Sequence, residues 1–197
     1  MNTSQIIILG LLAVLVFWAT GAYNRLIRLR NEISNAFAQI DVQLKRRHDL
    51  IPNLVEVARK YMEHERETLE RVTAARAQVM AATDMVKSHP NQSGPIKSLG
   101  MAEGVLANAM GRFQAVVEAY PELKADQSLR ELSEELTHTE NKVAFSRQLF
   151  NDATLDYNNA AHQFPTNVVA GVFGFRTAAM LQSTNTEAER QAVKVSL

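Results

Sequence analysis

Apolar and polar positions along this chain fall into three regimes. The first is an unbroken apolar run: from Ile6 to Tyr23 the only hydroxyls are those of Thr20 and Tyr23, and residues 2–24 carry no charge. As a helix this run is roughly 27 Å long, close to the roughly 30 Å hydrocarbon thickness of a bilayer. Ten of its residues are Ile, Leu, Val or Phe. At about −0.3 to −0.6 kcal/mol each they sum to about −3 to −6 kcal/mol in favour of insertion. Trp18 and Tyr23, each an apolar ring with a polar tip, suit the membrane interface.

The second regime spaces apolar residues alternately three and four apart, the period of a helix with one buried face. Leu26, Leu29, Ile33, Phe37, Ile40 and Leu44 form one stripe, which reads as the membrane helix continuing outwards as a stalk. Leu54, Val57, Tyr61, Leu69, Val72 and Val79 form a second, weaker stripe, interrupted by the charged run Glu63–Glu67. Leu99, Ala102, Leu106, Ala109, Phe113, Val116 and Tyr120 form a third. The fourth is the longest, from Leu129 through Leu136, Val143, Phe150 and Tyr157 to Phe164, and it argues for bundle packing. Pro52, Pro90, Pro95, Pro121 and Pro165 sit where breaks are expected. Asp126 or Ser128 is placed to cap the fourth helix. Nothing alternates with period two.

The expected fold is therefore all-α: an N-terminal transmembrane helix continuing into an elongated antiparallel bundle of about four long helices. The divisions are a short external N-terminus (1–5), the span (6–23), a helical bundle (24–182) and, as the third regime, a polar, disordered tail (183–197). His89–Gly94 reads as a loop. The apolar, glycine-bearing segment Phe164–Phe175 is too short to span a bilayer. It reads as a cap over the open end of the bundle or as a dock for a partner or the membrane surface.

Charge places the chain in the cell. Only the α-amino group precedes the span, whereas Arg25, Arg28 and Arg30 follow it directly. By the positive-inside rule the N-terminus lies outside and the bundle is cytoplasmic, in a single pass through the inner (cytoplasmic) membrane. A periplasmic bundle is the alternative. The three arginines are candidate lipid headgroup contacts. A cleaved secretory signal is the rival reading of residues 1–21; against it, no basic residue precedes the run, which is longer than a signal core. The chain has 21 basic and 21 acidic residues, so no global field draws it to nucleic acid. With no cysteine, thiol catalysis and thiolate metal sites are excluded.

Candidate chemistry is sparse. Glu135 and His138 have the Glu-x-x-His spacing of a di-iron bundle, but no second pair matches it. His64-Glu65 opens a zinc-peptidase pattern whose second histidine is replaced by Thr68. Gly100, Gly104, Ala107 and Gly111 read as small residues permitting close helix contact. No catalytic, cofactor or metal site emerges, so no cofactor is expected and the chain does not read as an enzyme. The remaining constellation runs from Asp41 to Val55. Asp41 and Lys45 are spaced to pair, Lys45, Arg46 and Arg47 sit near a helix C-terminus, and Asp49 caps a helix with Pro52 in its first turn. That turn presents Arg46, Arg47, Asp49 and Asn53 as candidate partner contacts.

These residues also carry a family resemblance. Tyr23-Asn24, the segment AFAQIDVQLKRRHDLIPNLVEVARKYMEHE, ARAQ at 75–78, residues 116–158 and FPTNVVAGVFGF at 164–175 closely resemble the LemA family of bacterial membrane proteins. The resemblance implies a membrane-anchored helical bundle with a small external N-terminus and no established activity. Where some relatives have a lipobox cysteine this chain has Ala22, which implies a spanning helix instead of a lipid anchor. Family gene neighbourhoods imply a membrane metallopeptidase or a TPM-domain protein as partner. The resulting expectation is a non-enzymatic scaffold or adaptor in contact with membrane lipid and another envelope protein. Phe173 and Phe175 are further docking residues in that expectation, and a self-assembling membrane-bound homo-oligomer is the alternative.

Overall fold

A computed structural model describes residues 2–181 of the chain. Six helices follow in order: α1 (Thr3–Arg59), α2 (Arg66–Ser88), α3 (Ser93–Ala119), α4 (Pro121–Ala125), α5 (Gln127–His162) and α6 (Thr166–Val172). No strand occurs among the described residues. Four of the six are long, and they form the elongated antiparallel bundle that the apolar stripes predict.

Helix α1 is 57 residues long, about 85 Å at about 1.5 Å per residue. Its apolar run touches nothing: Ile6 to Phe17 are exposed, Phe17 at 80 %. Burial begins at Ala22 and Leu26 and then follows Ile33, Phe37, Ile40, Leu44, Arg47, Ile51, Leu54 and Ala58. One face of one helix thus serves from the end of the span to the far end of the molecule.

The break expected at Pro52 does not occur, and Asp49 caps nothing. Proline has no N–H, so the His48 carbonyl four residues back loses its helical donor. Arg76 of α2 replaces it, its Nε donating to that carbonyl at 2.7 Å. The chain turns later, at Lys60–Glu65, where the charged run interrupts the second stripe and Met62 is buried as the anchor of the turn. Likewise Asp41 pairs not with Lys45 but with Lys87 of α2, whose Nζ lies 2.9 Å from Asp41 Oδ1.

Helix α2 returns along α1, and α3 packs chiefly on α2. Gly100 and Gly111 do not mediate close packing, because a Cβ on either would meet nothing within 4 Å. The short α4 starts on Pro121, and its Leu123 is fully buried. Asp126 then caps α5, its Oδ1 accepting from the Leu129 N–H at 3.0 Å. That bond and its neighbours hold the Asp126 carboxyl below its usual pKa. Helix α5 runs back antiparallel to α1. The Tyr61 hydroxyl donates to Asp126 at 3.1 Å at the far end, and Phe37 meets Phe150 edge-on at 6.0 Å near the middle.

Two zones result. In the head, residues 38–59 of α1 and the first half of α5 pack with α2 and α3. In the stalk, nearer the apolar run, only α1 and α5 continue, and their seam is covered by α6 and an extended strap at residues 174–181. Thr166, Val169 and Ala170 of α6 face inward. The apolar segment 164–175 does fold onto the bundle end, as a cap would. Phe164 departs from expectation: α5 stops at His162 and the ring is 78 % exposed instead of continuing the buried stripe. The tail expected over 183–197 lies outside the described residues.

Candidate interaction surfaces

The residues picked out as a contact cluster do not form one. Because α1 runs through Pro52, Arg46–Asn53 is mid-helix and no turn presents it. Arg46 reaches across to α5, its Nε donating to Glu135 Oε1 at 3.0 Å. This also occupies the carboxylate that Glu135-x-x-His138 offered to a metal. Arg47 points into the head. Asp49 and Asn53, one turn apart, are left exposed on the outer side of α1. They are accessible; the two arginines are spoken for within the chain.

What sequence reasoning missed is a buried charge cluster between α1, α3 and α5. Arg47 pairs with Glu103 Oε1, and Arg147 Nη2 lies 3.5 Å from Glu103 Oε2. Arg47 and Glu103 are buried, and the Arg147 side chain is 14 % exposed. Glu140 stands beside them along a cavity of about 210 Å³ that Met110 and Leu136 also line. Burial pushes the Glu140 carboxyl up, while Arg47 pulls it down and Glu103 adds to the rise. Burial likewise lowers Arg147, and Glu103 opposes that. The Glu103 carboxylate is shared by two guanidiniums and offsets only one of their two charges, with Glu140 the other carboxyl at hand. The Nε atoms of Arg47 and Arg147 have no partner, so the cluster is not saturated.

His48 is the neighbouring oddity. It is buried, neither ring nitrogen has a hydrogen-bond partner, and burial lowers its pKa to about 4, with Arg47 and Arg76 acting in the same direction. It packs as a neutral ring. A signal for the cluster existed. Extended past Pro52, the α1 stripe reads Leu44, Arg47, Ile51, Leu54, Ala58, and on α3 Glu103 sits between Leu99 and Leu106 at core spacing. Charged residues on an apolar register are rarely buried without partners.

At the other end Phe173 and Phe175 meet Tyr23. Their ring centroids lie 4.9 and 5.6 Å from its own. Phe175 is half-buried and Phe173 is 59 % exposed. Arg25, Arg28 and Arg30 are exposed just beyond, with Arg28 Nε 3.9 Å from Glu32.

Comparison with known proteins agrees with this architecture. The LemA family model matches residues 36–197. This chain belongs to the LemA family. It is 25 % identical to magnetosome proteins MamQ 1 and MamQ 2 of Paramagnetospirillum magneticum over 194 residues, 90 % of this chain and 71 % of each relative. It is 26 % identical to protein LemA of Metamycoplasma hominis over 176 residues, 89 % of this chain and 76 % of the relative. This LemA-family chain has one helix whose exposed N-terminal run is long and apolar enough to cross a membrane.

Proposed function

We propose that this LemA-family chain is a non-enzymatic membrane adaptor that holds a helical head at a fixed distance from the bilayer for another membrane or envelope protein to engage. The observation that carries this reading is the continuity of α1. One helix runs from the apolar run into the core of the head with no linker, so the head turns and tilts only with its anchor. From Tyr23 to Arg59 it reaches about 54 Å at about 1.5 Å per residue. Arg25, Arg28 and Arg30 favour an external N-terminus and a cytoplasmic head in the inner membrane. The charged groups of the head are engaged with one another, Glu103 bridging Arg47 and Arg147, which suits a structural role better than a reactive one.

Partner contacts then belong on the exposed faces: Asp49 and Asn53 on α1, and Phe145 and Leu149, an exposed apolar pair one turn apart on α5. Membrane metallopeptidases and TPM-domain proteins are the partner classes to examine first. The apolar pair also favours a second reading, a membrane-bound homo-oligomer. A photo-crosslinking amino acid at Asn53 and Phe145 in native membranes tests both. A discrete heterologous adduct supports the adaptor. Adducts of twice the chain mass alone replace it with the homo-oligomer, and no adduct at either position overturns both.

A further inference from the structure

Helix α6 is apolar on both sides. Thr166, Val169 and Ala170 face α1 and α5, whereas Val168 and Val172 point outwards at 56 % and 75 % exposure. Phe164 before the helix and Phe173 after it extend the outer patch, at 78 % and 59 %. Asn167 is exposed as well, but an outer patch of four large apolar side chains calls for an apolar environment of its own. Its location specifies which one. Phe173 packs at a tilt against Tyr23, the last residue of the apolar run, and α6 packs on α1. The patch is therefore continuous with the exposed apolar surface of the span, at the height where the chain leaves the bilayer. Above it stands a basic collar, with Arg25, Arg28, Arg30 and Arg176 all exposed. Glu32, Asp152 and Asp156 are the exposed carboxylates at this end, Glu32 lying 3.9 Å from Arg28; none is on α6.

We propose that α6 is an interfacial foot: Phe164, Val168, Val172 and Phe173 insert among the lipids of the same membrane that α1 spans, below headgroups held by the arginine collar. Interfacial helices bury their apolar face about 5–10 Å into the headgroup–acyl boundary. Because α6 packs on both α1 and α5, the foot fixes the depth and the tilt of the stalk relative to the membrane. This inference rests on the reading that residues 6–23 span a bilayer.

The chain has no cysteine, so single cysteines report cleanly. Full-length Phe164→Cys, Val172→Cys, Val14→Cys and Gln114→Cys variants would each be labelled with an environment-sensitive fluorophore. They would then be reconstituted in phosphatidylethanolamine–phosphatidylglycerol vesicles. The foot predicts blue-shifted emission at 164 and 172, quenched by shallow doxyl lipid and shielded from iodide, while the label at 114 behaves oppositely. If 164 and 172 are as open to iodide as 114 while 14 is lipid-quenched, the foot is overturned and the span stands. If 14 is not lipid-quenched, both fall. Two foot positions guard against one label disturbing α6.

Discussion

Head and stalk share the same two helices, α1 and α5, yet cover the seam between them by different means. In the head a hairpin of two helices lies over it, and a cluster of three charged side chains, Arg47 and Glu103 buried and Arg147 partly so, forms where α3 meets the pair. In the stalk the cover is a short helix and an extended strap whose backbone has no helical bonds of its own. Two asparagines supply what the strap lacks. Asn158 brackets Ala178, donating from Nδ2 to its carbonyl and accepting from its N–H on Oδ1, both at 2.9 Å. Asn151, seven residues and two turns earlier, does the same for Leu181 at 3.0 and 2.9 Å. The Tyr157 hydroxyl donates to the Arg176 carbonyl at 2.9 Å. A second helix satisfies its own backbone and contributes only side chains; a strap must be satisfied by its host. Head stability therefore depends on buried charge balance, and stalk cover on side-chain amides.

The largest effect is expected where that charge balance is broken. Glu103→Ala leaves the buried Arg47 and the partly buried Arg147 without their shared carboxylate, which costs about 3–5 kcal/mol. Thermal unfolding of the detergent-solubilised chain reads it as a lower midpoint. The comparison sharpens if Arg47→Met, Glu103→Leu and Arg147→Met are combined. Replacing a whole buried ion cluster with apolar side chains is often neutral or stabilising, so the triple variant should recover most of the loss. A triple variant as unstable as Glu103→Ala would mean that shape, not charge, holds this site.

Next in size is a pH dependence confined to the head. Folding lowers the His48 pKa from 6.5 to about 4, so the unfolded chain takes this proton first as pH falls. The contribution is whole above the unfolded value and is lost as pH falls through the window between the two. A shift of this size corresponds to at most about 3 kcal/mol, less any screening by water that reaches the ring. Denaturant midpoints at about pH 7 and about pH 5 should diverge for the native chain and converge for His48→Leu. An unchanged divergence in the variant would assign the pH dependence to another group; Glu140, whose pKa folding raises, would act in the opposite direction.

The proline in α1 gives a third test. Arg76→Ala orphans the His48 carbonyl and is expected to cost about 1–3 kcal/mol. With Pro52→Ala the helix regains its own donor, so Arg76→Ala should cost less in that background. Additive effects in the double-mutant cycle would show that Arg76 acts elsewhere.

How much of this was legible follows the same division. The apolar stripes predicted four long helices and their antiparallel order, because burial of one helix face repeats in sequence with its own period. Asp126 as the α5 cap was legible because a capping side chain acts within three residues. Pro52 misled, since its consequence is decided by Arg76, 24 residues on and in another helix. The sequence places Arg46 and Arg47 in one contact set with Asp49 and Asn53, but successive helix positions are about 100° apart, so Arg46 reaches Glu135 while Arg47 turns inward to Glu103. The strap was illegible for a related reason: Asn151 and Asn158 look like ordinary exposed helix residues until the chain returns 20–30 residues later.

The smallest expected effect tests whether the two regions are independent. Asn158→Ala removes both bonds to Ala178 and leaves its backbone groups to water or to nothing, a local loss of about 1–2 kcal/mol. Native-state hydrogen exchange reads it directly, because the amides of Ala178 and Leu181 are themselves the donors to Asn158 and Asn151. In the native chain these two amides should stand out as protected, three residues apart in a segment without helical bonds. In Asn158→Ala protection at Ala178 should collapse, and protection at Leu181 should weaken because the strap is held at fewer points. Amides of α2 and α3 should not change. Exchange that quickens equally in the head would mean that strap and hairpin are one cooperative unit, and that α1 and α5 transmit strain along their whole shared length.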